Sequence, residues 1–439
     1  MTERWIVVGA GSAGCVVAAR LSESPDREVL LLEAGPDLVE GAVPASINGP
    51  DFLTALDEPG RTYPDLEATR VSGGQPTLYA RGRGIGGSSS VNAMIALRGE
   101  AEQFRGWGWG GIDEAWSAIL LPEEHADETE LGVVDRALLG SATDAQRVLL
   151  NRRDGRRVTS AEAYIWPALD RENLMVRSDA RVDRVTLNKN RTGGVMLAGG
   201  EVIEAERVVL ATGSIHSPAI LMRSGVSAPG IGEGLQDHAS APLTLEFRDG
   251  VKQAAGGLVV GSIVQRGDLQ FLPMNHLGSE NPGLGLLMVA LMRPVGRAGS
   301  VRLAETPTSE PIVDFALLHD RSDVERLAAG VNDAIQILES APFDEIIQAV
   351  YIDGWGTTID QLGDQSSIEQ WLQTATGDYV HASSSCAMGT TVDQRGAVVG
   401  YENLYVCDAS VFPTIPWVNT HLPTTMLAER LAAKWRDEI

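Results

Sequence analysis

The apolar positions fall into two textures. Ile6, Val7 and Val8 make a short run of the buried-strand kind, Ala18, Ala19 and Leu21 continue one face of a helix, and Val29 to Leu32 supply a second strand. Val208 to Ala211 repeat the buried run and end in Thr212 and Gly213. Val176 to Leu187 and Val202 to Thr212 read as strands, with a turn-prone segment from Asn188 to Gly194 between them. Thr159 and Glu162 predict a capping box for a short helix over 161–169. From Ala239 to about Thr374 the pattern changes to alternation, as at Leu243, Leu245 and Phe247, broken by prolines and glycines. Antiparallel strands fit that pattern better than more parallel sheet. Within it, Ser322 and Glu325 cap a helix whose inner face carries Leu327, Val331, Ala334, Ile335 and Leu338.

Between the first strand and the first helix, Gly9, Gly11 and Gly14 form G-x-G-x-x-G, with Ser12 and Ala13 opening the helix. The glycines have separate tasks: a tight turn at Gly9, close approach of backbone to phosphate at Gly11, and close helix-to-strand packing at Gly14. The helix N-terminus suits a pyrophosphate. Glu33, followed by Ala34, ends the second strand where an acid can accept both hydroxyls of a ribose. A glycine turn that binds nothing is the alternative, and the flanking strands and Glu33 argue against it. Pro36 to Gln75 lose periodicity and predict a surface excursion. The chain then returns to glycine: Arg81, Gly82, Gly86, Gly87, Ser88, Asn92 and Ala93 lie in or just after a loop that runs into an apolar face at Val91, Met94, Ile95 and Leu97. The pattern predicts a loop entering a helix, with N–H donors for a second part of the same ligand.

With 439 residues the chain exceeds one ordinary core and should divide into two domains. A formal charge of −24 argues against nucleic acid and anionic membrane surfaces as partners, which leaves a small, mostly neutral substrate. Cys15, Cys386 and Cys407 suggest a reducing compartment and no disulfide framework. The first strand leaves no room for a signal peptide, and the longest apolar run, Leu284 to Met292, is too short to span a bilayer, so a cytoplasmic location is expected. No histidines stand at metal-ligand spacing and no Cys-x-x-Cys occurs, so no metal is expected.

The order Gly82, Arg83, Ile85, Gly86, Gly87, Ser88, Ser89, Val91, Asn92, Ala96, Gly99 resembles the first signature of the glucose-methanol-choline family of FAD-dependent oxidoreductases, departing from it at Arg105. Gly106 to Leu120 is similar to the family's tryptophan-containing loop and helix in a shortened form. Gly213, Ser214, Ser217, Pro218, Ile220, Leu221, Ser224 and Gly225 resemble its second signature, with Ser227 in place of a glycine, and Gly232 to His238 its next turn. Asp378 to Gly389 looks like the segment with the catalytic histidine, at His381, although Ala382, Ser384, Ser385 and Ala387 depart from the commoner residues. Leu404 to Pro413 resembles the strand that ends in the flavin-contacting pair Asp408 and Ala409. Asn419, Thr420, His421 and Pro423 follow where the family has Asn-x-His or Asn-x-Asn, and the resemblance gives His421 the second catalytic position. Pro423 and Thr424 open a final helix whose end faces the flavin in the family.

The resemblance implies an α/β fold with an α+β insertion. A Rossmann-like FAD-binding domain is expected from 1–37, 78–110, 172–238 and 375–439, and a substrate-binding domain on an antiparallel sheet from 111–171 and 239–374, with 38–77 as a surface excursion or FAD-covering segment. To the glycine loops and Glu33 it adds Val182, Gly213, Asp408, Ala409, Thr420, His421, Pro423 and Thr424 as cofactor contacts. Val91 stands where some members carry a histidine bonded to the flavin, which implies non-covalent FAD. The implied activity is oxidation of an alcohol to an aldehyde or ketone, with hydride passing to flavin N5, His381 as base and His421 as supporting donor. Oxygen, a quinone or another carrier takes the electrons. A lyase of the same fold, for cyanohydrin cleavage or photodecarboxylation, and a flavin-binding protein without turnover remain open.

Overall fold

The computed structural model describes residues 2–251, 256–306, 309–354 and 356–437; the outermost ends of the expected domain ranges lie outside them. Glu3–Val8 is the central strand of a five-stranded parallel sheet. Arg27–Leu32 and Arg207–Leu210 flank it, with Leu174–Arg177 and Leu404–Val406 at the two edges. Every pairing is parallel. Trp5, Ile6 and Val7 are fully buried, which is why the run carries no alternation. The helix Ser12–Leu21 returns across this sheet and packs on the final helix, His421–Asp437. Arg20 and Glu429 clamp the two, with Nε–Oε2 at 2.8 Å and Nη2–Oε1 at 2.9 Å. Two helix N-termini are thereby held side by side at the carboxyl end of the sheet, where Ser12 Oγ lies 2.9 Å from His421 Nδ1.

The alternating region folds as expected into an antiparallel sheet, in the order Ile347–Tyr351, Ser240–Phe247, Leu284–Leu291, Leu269–Met274, Ser262–Arg266, Ala145–Arg147. Leu327, Val331 and Ala334 of the helix Arg321–Leu338 are buried against it, while Ile335 is only half-buried and Ile337 takes its place in the core. The cap of that helix is Asp320, which accepts from Ser322 N at 2.9 Å, and not Ser322 itself.

Several local expectations are corrected. The excursion 38–77 contributes Glu67–Thr69 and Thr77–Leu78 to a third sheet, where Glu67–Thr69 runs parallel to Ile312–Asp314. The second glycine loop enters only a 3-10 turn, Gly87–Ser90, and the apolar positions from Val91 to Leu97 form no helix. Buried Arg157 takes Asn92 O at 2.7 Å and Oδ1 at 2.8 Å, Met94 turns left-handed at φ 61°, and Ala96 N donates to Leu149 O. The left-handed conformation at Met94 breaks a right-handed helix at that point. The apolar side chains serve a buried extended loop. Arg191 to Gly194, expected within the turn-prone segment, open the strand Arg191–Leu197, which pairs with Val182–Asn188; Gly194 is needed there because a Cβ would stand 2.0 Å from Ile203 O. The element after Thr159 is a π turn, Ala161–Ile165, followed by a 3-10 turn, and only the Thr159 half of the box forms, with Glu162 N donating to Oγ1 at 3.1 Å. The final helix begins at His421, so Pro423 sits third, where a missing N–H is still harmless. Among the described residues no helix is long and apolar enough to cross a membrane, and the three cysteines are buried free thiols.

Candidate active site

The two glycine loops touch. Gly9 takes φ 95°, and a Cβ on Gly14 would lie 1.7 Å from Gly9 O, so Gly14 serves helix-to-turn packing as expected. A Cβ on Gly87 would stand 2.6 Å from Gly11 Cα, whereas one on Gly11 would meet only Gly87 Cα at 4.0 Å. Gly11 therefore faces open space. No side chain caps the helix behind it and no acid lies in its first turn, which leaves free N–H groups and a positive dipole end facing a cavity of about 460 Å3.

Glu33 is tied tightly. Its Oε2 accepts from Ala10 N at 2.8 Å, and its Oε1 accepts from Gly35 N and Gly84 N, both at 2.9 Å. The acid joins both glycine loops and keeps acceptor capacity mainly at Oε2, enough for one hydroxyl rather than a symmetrical pair. Asp408 is held in the same way: Oδ2 accepts from Gly213 N at 2.8 Å and from Ser217 Oγ at 2.5 Å, and Oδ1 from Ser410 N at 2.8 Å. Burial raises its pKa against the pull of those donors.

Gly9, Gly11, Ser12, Ala13, Glu33, Ala34, Arg81, Gly82, Gly87, Ser88, Asn92, Ala93, Val182, Gly213, Asp408, Ala409, Thr420, Thr424 and both histidines line the one cavity. Gly14, Gly86 and Pro423 stand behind its wall; Gly86 N donates to Ala10 O and braces the two loops against each other.

At the other end the arrangement differs from expectation. His381 Nδ1 and His238 Nδ1 are 2.9 Å apart, and His238 Nε2 is 2.9 Å from Pro416 O. A carbonyl only accepts, so His238 carries its proton on Nε2, its Nδ1 accepts, and His381 donates from Nδ1. That leaves the lone pair of His381 on Nε2. The side chain that approaches Nε2 is Asn419, with Nδ2 at 3.5 Å, and not His421, whose Nδ1 lies beside Ser12 at the helix start. Asn419 is oriented from behind: its Oδ1 accepts from Gln270 Nε2 at 3.3 Å, and Gln270 Oε1 accepts from the Tyr379 hydroxyl at 2.8 Å. Nδ2 must then point forward.

Burial lowers the pKa of all three imidazoles: His381 well below the ordinary value, with His238 and Arg81 adding to the effect, His421 to about 4 and His238 to about 3. His381 is therefore a neutral base at neutral pH. Its backbone is set by Asp237, whose oxygens accept from the N–H groups of His238, Tyr379 and His381 and from the Tyr79 hydroxyl. Asp237, His238 and His381 bring ligand atoms within 4.8 Å of one another, a grouping that sequence spacing does not reveal. Those carboxylate oxygens and the facing Nδ1 atoms are, however, already engaged with one another's neighbours. His238, Gln270 and Asp237 were not singled out from the sequence. The Asp-His pair in the turn before the alternating region was the available signal.

The GMC oxidoreductase family models match residues 4–138 and 126–240 with the N-terminal description and 294–428 with the C-terminal one. The chain is similar to 5-(hydroxymethyl)furfural oxidase of Methylovorus sp. (strain MP688), 29% identical over 98% of this chain and 97% of that protein. It is also 27% identical to pyridoxine 4-oxidase of Microbacterium luteolum, over 98% and 99% of the two chains. Among solved structures, pyridoxine 4-oxidase from Mesorbium loti superposes with a TM-score of 0.88 over the full length of both chains at 24% identity, a likeness of fold.

Proposed function

The chain belongs to the GMC oxidoreductase family, whose members bind FAD, and is an FAD-dependent oxidoreductase acting on alcohols; from that premise we propose that it converts an alcohol to an aldehyde or ketone with His381 as the base. The observation that carries this is the convergence of His381 Nε2 and Asn419 Nδ2, 3.5 Å apart on the wall of a cavity that both glycine loops also line. FAD, when bound, supplies the acceptor, at N5, for the hydride that leaves the carbinol carbon. The protein's part is the oxygen. His381 Nε2 takes the hydroxyl proton, while Asn419 Nδ2 donates to the same oxygen as charge builds on it. Asn419 thereby replaces His421 as the supporting donor. His421 joins Thr420 and Thr424 at the start of the final helix, where N–H groups suit a reduced, anionic ring.

The open helix start at Ser12 and Ala13 supports pyrophosphate binding there, and Glu33 Oε2 supports a ribose hydroxyl. Val91 is aliphatic and buried, so it has no nucleophile to offer, which supports non-covalent FAD. The parallel sheet, with strands from 1–37, 172–238 and 375–439, supports an FAD-binding domain assembled from those ranges and 78–110. Three free thiols support a cytoplasmic location. Anaerobic mixing with a panel of alcohols tests the reaction, because an oxidoreductase bleaches its flavin and a lyase leaves it oxidised. Oxygen uptake in turnover then separates oxidase from dehydrogenase.

A further inference from the structure

The strand Leu269–Met274 has two faces. Phe271 enters the core beneath the helix Arg321–Leu338, while Gln270, Leu272 and Met274 share the opposite face, of which Leu272 and Met274 line the cavity. Gln270 is anchored at the reacting end by its bonds to Asn419 and Tyr379. Alternate residues of an antiparallel strand advance by roughly 7 Å, so Leu272 and Met274 stand about 7 and 14 Å from Gln270 along this face. Met288 lies opposite Leu272 in the register, half-buried and on the cavity wall, and Ile95 and Phe52 pack into the same apolar cluster. Tyr379 joins that cluster to the base, its ring centroid 5.0 Å from that of His381.

The carboxylates on the wall argue against a cation, while Arg81, Arg181 and Arg223 also line it. Its carboxylates are Glu33, Asp378 and Asp408, and each is engaged: Glu33 by three backbone N–H groups, Asp408 by N–H groups and Ser217, Asp378 by Arg70 at 2.6 Å. A cationic alcohol would be buried there without a free carboxylate partner, and a polyol would leave its hydroxyls unpaired against Leu272, Met274 and Met288. Methionine sulfur and an aromatic edge are favourable neighbours for a flat ring.

We propose that Leu272, Met274 and Met288 form the specificity wall and that the substrate is an alcohol without cationic charge whose carbinol carbon carries an aromatic, apolar body. The inference rests on the reading of His381 as the base. In the reaction the alcohol loses its O–H proton to His381 and its C–H hydride to FAD, so an anaerobic single turnover needs no further oxidant.

The test mixes the anaerobic holoenzyme with benzyl alcohol, choline or glycerol and follows flavin bleaching. Binding of the same three probes to His381→Ala is read from perturbation of the flavin's visible band. Benzyl alcohol should bleach the wild type and bind both proteins, and the other two should do neither at equal concentration. Met288→Ala should raise half-saturation by benzyl alcohol about tenfold with the limiting rate little changed, and Met288→Asp should weaken benzyl alcohol further while admitting choline. Faster bleaching by choline or glycerol than by benzyl alcohol overturns the substrate class and leaves alcohol oxidation standing. Benzyl alcohol that binds both proteins but bleaches neither supports the wall and overturns alcohol oxidation, and bleaching of His381→Ala as fast as wild type overturns the base. Benzyl alcohol that neither binds nor bleaches overturns the wall.

Discussion

His238 and His381 meet Nδ1 to Nδ1 at 2.9 Å, and Pro416 O at the far side of His238 gives the bond its direction. His238 is a positioning residue: it holds the proton of His381 away from the substrate and keeps Nε2 basic. Its removal should let His381 adopt the other tautomer. His238→Ala is expected to slow flavin reduction by about 10²-fold or more, in the direction of known wrong-tautomer losses, while FAD content is kept. His238→Asn, whose amide oxygen can still accept from Nδ1, should recover part of the rate. Packing alone would give no such rescue, and stopped-flow comparison of the two variants decides between the roles.

Acid should act through the buried imidazoles. With the pKa of His381 held well below 6.5, the rate of flavin reduction should be flat from pH 8 to 6.5 and decline only below that range. Stability follows the same sign. As pH falls below 6.5 the unfolded chain takes up protons that folded His421 refuses until about 4, His238 until about 3, and His381 until well below its ordinary range, so stability is full above 6.5 and is lost on acidification. Asp237, pushed up to about 7 by burial and by Asp378, works in the opposite direction, its contribution being lost as pH rises through about 7. Asp135, Glu162 and Asp408 are raised in the same sense as Asp237, while Glu130, Asp144 and Glu310 are lowered and act with the three histidines, so the melting temperature should still fall between pH 6.5 and 4.5, measurable by calorimetry.

The catalytic pair is separable from its neighbour by mutation. His381→Ala should lose roughly 10²- to 10⁴-fold in reduction rate with flavin and fold retained. Asn419→Ala should lose about 10²- to 10³-fold, the usual cost of one donor to a developing oxyanion. The double variant should fall well short of the product, since both groups act on one oxygen. His421→Asn should change the rate much less than Asn419→Ala. Equal rates for Asn419→Ala and wild type would return the donor role to His421.

The boundary between what could be read from the chain and what could not follows sequence distance. Strand, glycine turn and helix between Trp5 and Leu21 are local, so they are legible from neighbours within a few turns, whereas Glu33 also holds Gly84 N, 51 residues away. The antiparallel sheet was legible because one buried face imposes alternation on every strand. Asn419 and His421, by contrast, differ by two positions at a helix start, and the choice between them is made by Gln270, 149 residues from Asn419 in sequence. The His238–His381 contact spans 143 residues. At Met94 and Ile95 the apolar spacing suggests a helix because burial imitates periodicity: a loop pinned by Arg157 and by the backbone of Leu149 and Asn151 can bury the same side chains.

Cofactor capture should be most sensitive where the two glycine loops meet. At Gly87 a methyl group would stand 2.6 Å from Gly11 Cα, against backbone that cannot rotate away, and φ is +52°. Gly87→Ala must therefore push the second loop off the first, and with it Ser88 and the bonds from Gly84 N and Gly86 N that tie the loops together through Glu33 and Ala10. The five-stranded sheet and the antiparallel sheet make no use of this contact, so the fold should survive. The variant is expected to purify with markedly less FAD while its far-ultraviolet circular dichroism matches the wild type. Gly106→Ala, at a site with no atom within 4 Å, should keep its full flavin content. A Gly87→Ala protein that retained FAD with undiminished affinity would mean that the ligand does not depend on the closeness of the two loops.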